Sequence, residues 1–271
     1  MLIDSHCHLT HGRLAARAGQ LMDEARAAGV VAVVTAASDV ADATAALGLA
    51  RRHEGVYCSA GVHPHEAAKV PGTWLDQLRS IIGAGRGADG GVDLCVAVGE
   101  IGLDYHYDFS PRDDQRRVFE AQLELAAELG KPIIVHSREA TADALAALAP
   151  YAGRLQGVIH SFTGDSDEVT GFLDQGWHIG FAGIVTFNRS DANRAAAARV
   201  PAERLLVETD APYLSPVPVR KVFPNVPAHV THTAKLLAEV RRERFEDLAR
   251  RTTTNAAELF GIGLQGDSAG S

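Results

Sequence analysis

The residues best suited to chemistry are imidazoles and carboxylates that follow short apolar runs. His6 and His8 end the first such run, in Asp4-Ser5-His6-Cys7-His8. Side chains two apart on a strand share a face, so both imidazoles can serve one metal ion while Cys7 points away. Alone, such a pair is as readily two polar loop residues. Glu100 directly follows Cys95-Val96-Ala97-Val98-Gly99, where a carboxylate is costly to bury unless it is paired or binds a cation. Bridging two metals meets that need, and an ion pair to arginine or lysine is the alternative. Ile133-Ile134-Val135 runs into His136 and Val158-Ile159 into His160. One apolar strand ending in histidine is more often a satisfied core residue, but two consecutive strands ending alike, next to the Glu100 run, favour a second metal position. Leu205-Leu206-Val207-Glu208-Thr209 delivers Asp210, which by itself is better read as a turn or cap residue ahead of Ala211-Pro212.

Histidine and carboxylate donors without thiolates suit zinc, manganese, magnesium or similar divalent ions. Two such ions about 3.5–4 Å apart can hold a bridging hydroxide and stabilise the attacking and leaving oxygens of an in-line displacement. His63 and His65, in Gly61-Val62-His63-Pro64-His65, are expected to contact substrate, because six residues already account for two ions and an imidazole is a good donor to a phosphate oxygen. A proline-fixed turn with incidental histidines is the competing interpretation.

Residues from so many points of the chain need a scaffold that gathers strand ends. Eight apolar runs, at residues 1–4, 30–35, 56–61, 94–99, 132–136, 156–160, 177–182 and 205–210, suit parallel strands buried on both faces. Segments with apolar residues at helical spacing lie between them, including 20–28, 39–52, 111–129, 139–148 and 167–175, and Pro111 and Gly130 punctuate one of these at its start and end. A βα unit repeated eight times predicts an α/β fold, a (β/α)₈ TIM barrel, whose active sites form at the C-terminal ends of the strands. A proline-rich loop over 212–227 and helical stretches over 228–239 and 246–260 complete one domain at residues 1–260, with a glycine- and serine-containing tail at 261–271 expected to be disordered.

The length of 271 residues suits one such barrel, and 46% hydrophobic with 22% charged residues is ordinary for a globular protein. A formal net charge of -8 argues against coating DNA through a broad basic surface, yet leaves a nuclease possible, because bound cations present a local positive centre to a phosphodiester. Cys7, Cys58 and Cys95 have no C-x-x-C spacing, which fits a reducing compartment and small packing residues. Neither a signal peptide nor a membrane span is legible at the start of the chain, so a cytoplasmic protein is expected, and with no exposed apolar stripe standing out in the sequence, a monomer is expected.

Taken together, Asp4-Ser5-His6-Cys7-His8, Gly61-Val62-His63-Pro64-His65, Gly99-Glu100-Ile101-Gly102-Leu103-Asp104-Tyr105, Pro132-Ile133-Ile134-Val135-His136-Ser137-Arg138, His160-Ser161-Phe162-Thr163-Gly164 and Glu208-Thr209-Asp210-Ala211-Pro212-Tyr213-Leu214 resemble the TatD family of metal-dependent deoxyribonucleases in the amidohydrolase superfamily. The resemblance covers nearly the whole chain. It implies that His6, His8 and Asp210 serve one ion, His136 and His160 the other, and Glu100 both. It further implies hydrolysis of DNA phosphodiesters by a hydroxide activated by the two metals, as a 3′–5′ exonuclease; the acidic composition suits single-stranded or frayed ends, whose recognition needs only a short groove with a few cations. His63 and Arg138 would lie near the scissile phosphate, and Asp210 would accept a proton. The loop after Asp210 departs from the family pattern: Pro-His-Arg-Gly and Asn-Glu-Pro are replaced by Pro218-Val219-Arg220-Lys221 and Asn225-Val226-Pro227. Arg220 remains a candidate substrate contact, and Arg138, Lys221, Phe162, Tyr105 and Tyr107 are candidates for holding a strand. The alternatives are a superfamily enzyme acting on a non-nucleic-acid ester, amide or lactone, whose relatives commonly bridge their metals with a carboxylated lysine where this chain has Glu100, and a barrel that binds without turnover.

Overall fold

The computed structural model describes residues 1–87 and 92–264. The eight apolar runs form the parallel strands β1 (Leu2–Cys7), β2 (Val30–Thr35), β3 (Val56–Ala60), β4 (Cys95–Asp104), β5 (Ile133–Arg138), β6 (Gly157–Ile159), β7 (His178–Phe181) and β8 (Leu205–Val207), hydrogen-bonded in chain order. A helix follows each strand: α1 (Ala18–Ala27), α2 (Val40–Arg52), α3 (Trp74–Ala84), α4 (Arg112–Leu129), α5 (Thr141–Leu148), α6 (Ser166–Asp174), α7 (Asp191–Arg199) and α8 (Val230–Arg241); α9 (Phe245–Phe260) ends the order. The helix punctuation is local chemistry. Asp39 accepts from the N–H of Asp42 ahead of α2, Asp165 and Glu168 form a reciprocal cap on α6, and Gly130 ends α4 at φ 63°.

Strand alternation sorts the core into two layers. Ile3, Val34, Val96, Ile134, Val158 and Leu206 pack with Phe260 and Ile262, while Leu2, Val33, Cys58, Ile133, Ile159 and Val207 belong to the larger cluster that includes the covering helices. Within the stretch expected to be a tail, Ile262 is buried, its N–H donates to Ala257 O at 2.9 Å, and Leu264 packs against the same cluster. Residues 265–271 lie outside the described part of the chain. All three cysteines are free and buried. Among the described residues, no helix is long and apolar enough to cross a membrane.

Two departures from simple strands shape the rim. β1 and β4 run further than their apolar cores, to Cys7 and Asp104, and each carries an irregularity in register, between Asp4 and Cys7 and between Val98 and Ile101. A bulge bends a strand and re-aims its side chains. His6 and Glu100 lie at these two places. The gap between β8 and β1 is closed by Asp210 N donating to His6 O at 2.9 Å and His8 N donating to Ala211 O at 2.7 Å. Below it, Thr209 donates to Asp4 through its N–H at 2.8 Å and its hydroxyl at 2.6 Å.

Candidate metal centre

The four histidines and two carboxylates expected to act together converge at the C-terminal end of the barrel. Glu100, 2% exposed, divides its oxygens between two histidine pairs. Oε2 lies 3.3 Å from His6 Nε2 and 3.6 Å from His8 Nε2. Oε1 lies 3.0 Å from His136 Nδ1 and 2.7 Å from His160 Nε2. Asp210 Oδ1 adds to the first group at 3.5 Å from His8 Nε2 and 3.9 Å from His6 Nε2. The inward nitrogens are 3.2 Å apart within each pair.

The outward nitrogens explain which lone pairs point inward. His8 Nδ1 donates to Ala36 O at 3.2 Å, His136 Nε2 donates to Asp104 Oδ2 at 3.0 Å, and His160 Nδ1 faces Glu208 Oε1 at 3.5 Å. Each partner favours the proton on the outer nitrogen, leaving the inner one as a metal donor. Among the described residues, His6 Nδ1 is buried without a hydrogen-bond partner. Charge supports the same assignment. Burial alone would raise the Glu100 carboxyl, but His160, His63 and His6 outweigh it and hold Glu100 well below its ordinary range. His160 is pushed well above its ordinary value, against burial, by Glu100 and Glu208. Asp210 is likewise lowered against burial, first by its bond with His8. The buried carboxylates thus draw a proton onto His160, and divalent cations can supply that positive charge while leaving the ring neutral. The donor set fits divalent ions.

His63 also enters the cluster, with Nε2 3.3 Å from Glu100 Oε1. Its Nδ1, however, accepts the His65 N–H at 3.1 Å, so the neutral ring carries its proton on Nε2. That orientation makes His63 a donor into the cavity. Burial pushes its pKa down to about 4, so the ring is neutral near pH 7. His65 Nε2 donates to Asp104 Oδ2 at 2.9 Å. Arg138 lines the cavity with its guanidinium 4.9 Å from the Tyr107 ring centroid. Arg220 lies instead over Phe187, at 4.0 Å, and is not among the lining residues. Phe162 lines the cavity but is buried at 4% exposure, and the Tyr105 ring lies under the Arg112 guanidinium at 4.2 Å while its hydroxyl donates to Asp143 at 2.6 Å.

Two further buried carboxylates complete the site. Asp104 sits beneath His136, and Glu208 beneath His160, where it also accepts from Ser5 Oγ at 3.2 Å and from the Ser161 N–H. A usable signal was present for both: each is a carboxylate in or after an apolar strand, which requires partners when buried. Gly180 opposite Glu208 has no room for a side chain, since a Cβ there would lie 2.5 Å from Glu208 Oε2. Asp210 and Ser161 adopt left-handed backbone at φ 54° and 43°, a conformation that costs energy and clusters at functional sites. In the altered loop, Asn225 Nδ2 donates to Thr209 O at 3.0 Å and Tyr213 O at 2.7 Å, tying the loop to the end of β8. The resulting cavity of about 820 Å³ is lined by His8, His63, Glu100, His136, His160 and Asp210 among others.

Residues 3–261 match the family described as TatD related DNase. The chain is 37% identical over 265 residues to the 3′-5′ ssDNA/RNA exonuclease TatD of Edwardsiella piscicida, covering 96% of this chain and 99% of that protein. It is 38% identical to the uncharacterized metal-dependent hydrolase YcfH of Escherichia coli K12, covering 96% of each. Its fold matches the crystal structure of YjjV, a TatD homologue from Escherichia coli K12, with a TM-score of 0.89 at 30% identity, over 97% of this chain and 98% of that one. A parallel eight-stranded barrel, a convergent histidine and carboxylate cluster at its C-terminal rim, and a match over nearly the full length agree: this chain belongs to the TatD family of metal-dependent hydrolases.

Proposed function

We propose that this chain hydrolyses DNA phosphodiester bonds, removing nucleotides from the 3′ end of single-stranded or frayed DNA, as a cytoplasmic monomer. The observation that carries this proposal is Glu100, whose two oxygens face two separate histidine pairs at the floor of an open cavity. His6, His8 and Asp210 would hold one divalent ion, magnesium, manganese or zinc, His136 and His160 a second, and Glu100 both. When bound, such ions activate water and stabilise the attacking and leaving oxygens. The protein's own residues bind and move protons around them. Asp210 is the proton acceptor as the nucleophile forms. His63 donates from Nε2 to a non-bridging phosphate oxygen, and Arg138 at the rim attracts the neighbouring phosphate. The relative at 37% identity, called a 3′-5′ ssDNA/RNA exonuclease, supports the substrate class.

The test is cleavage of single-stranded DNA labelled at either end, in magnesium, manganese or chelator, with Glu100→Ala alongside. A metal-dependent ladder that shortens from the 3′ end and is absent in Glu100→Ala is the expected result. An intact strand in every lane, with metal bound to the protein, removes DNA as the substrate and directs attention to a small ester, amide or lactone.

A further inference from the structure

We propose that Phe109, backed by Tyr107 and Arg138, is a stacking site for one unpaired nucleobase of the bound strand, which rests on the nuclease function proposed above. Among the described residues, the exposed large apolar side chains other than Met1 and Val92 all lie on the loops after β4 and β8; Tyr107 and Tyr213 on these loops line the cavity, and Phe109 stacks on Tyr107 just outside that lining. On the first loop, Phe109 is 66% and Tyr107 48% exposed. Their rings stack with centroids 5.3 Å apart and planes at 26°, and Arg138 lies over Tyr107. The stack has one arginine in contact and leaves Phe109 open to solvent. It is a surface for a planar, polarisable group on a phosphate backbone.

Its location and rigidity argue for recognition of substrate. Phe109 contacts His65 at 4.7 Å between centroids, and His65 lies 6.3 Å from His136, so two ring contacts separate the open face from the metal cluster. The loop is held at both ends. Asp104 Oδ1 accepts from the N–H groups of His106 at 3.0 Å and Tyr107 at 2.8 Å. Ser110 Oγ donates to His65 O at 2.9 Å, and Gln115 Nε2 donates to Ser110 O at 2.9 Å and Asp104 O at 3.0 Å. Asp108 between the two aromatics turns through φ 53°. A solvent-facing aromatic on a pre-ordered loop loses little further freedom on binding. A base in a duplex already stacks on both sides and is paired, so the site selects a single strand.

The experiment compares wild type, Phe109→Ala and Phe109→Trp cleaving an all-thymine strand in manganese, and the same strand with abasic residues near its 3′ end. Phe109→Ala is expected to raise KM on the thymine strand about 5- to 150-fold, the range that one base–aromatic stack supports, with kcat retained. Phe109→Trp restores KM, and on the abasic strand wild type and Phe109→Ala have the same, raised KM. Unchanged KM in Phe109→Ala, or an equal loss on both strands, overturns the stacking site while the nuclease stands. Failure of wild type to cleave either strand overturns the nuclease function and the stacking site with it.

Discussion

Asp104→Asn isolates the carboxylate beneath the metal cluster. Oδ2 of Asp104 accepts from His65 Nε2 at 2.9 Å and His136 Nε2 at 3.0 Å, while Oδ1 accepts from the N–H groups of His106 and Tyr107 at 3.0 and 2.8 Å. All four partners are donors, and the residue is fully buried. Asparagine matches the shape but replaces one acceptor oxygen with an NH₂, so whichever way the amide turns, it faces donors with a donor. An unsatisfied buried group costs about 1–3 kcal/mol, which for a chain of this size lowers Tm by roughly 2–12 °C. His136 also loses the anion that holds its proton on Nε2, and such a loss typically weakens metal binding about 10- to 100-fold. The assay is calorimetric titration of metal-free protein with manganese, beside thermal melts in chelator. Wild-type metal affinity in Asp104→Asn would refute the reasoning, because it would mean that His136 needs no such partner to bind or is not a ligand at all.

Gly180→Ala places a Cβ 2.5 Å from Glu208 Oε2 and 3.0 Å from its Cδ; overpacking of this kind costs about 1–3 kcal/mol, so a melt in chelator should show a lower Tm, and an unchanged Tm would mean that Glu208 has room to move. His63→Ala should lower cleavage by about 10²-fold or more, as loss of a donor to developing charge does, while calorimetry finds metal affinity unchanged; a matching fall in affinity would make His63 a ligand. His178, far from the cluster on β7, is held down to about 4 from 6.5 by burial, with Arg204 adding to the effect. Above pH 6.5 the ring is neutral whether folded or unfolded, and as pH falls from about 6.5 to 4 only the unfolded chain takes up the proton. Stability worth up to about 3 kcal/mol is therefore lost across that window, and melts of wild type against His178→Gln should show the mutant less sensitive over it; parallel pH profiles would contradict the assignment.

Much of this protein was legible in its sequence because the signals are local. Apolar runs of strand length, helical spacing between them, and punctuation such as Gly130 concern residues adjacent in the chain. The burial of parallel strands on both faces makes them legible without knowing their neighbours. Histidines and carboxylates at successive strand ends were visible for the same reason, since the barrel brings those ends to one rim. Closure of the barrel decided the rest. Register irregularities in β1 and β4 depend on neighbouring strands, and His6 and Glu100 lie at them. Asp104 meets His65 and His136 from 39 and 32 positions away, so its partners cannot be read from spacing. Which nitrogen of His63 faces the cavity follows from one backbone N–H. Exposure is equally non-local: Phe162 is covered by its surroundings, Arg220 turns to Phe187, and Phe109 is left open beside the cluster. The sequence by itself determined which chemistry was available; long-range packing decided which atoms face one another, because hydrogen-bond partners and solvent access belong to the closed barrel and to no single segment of the chain.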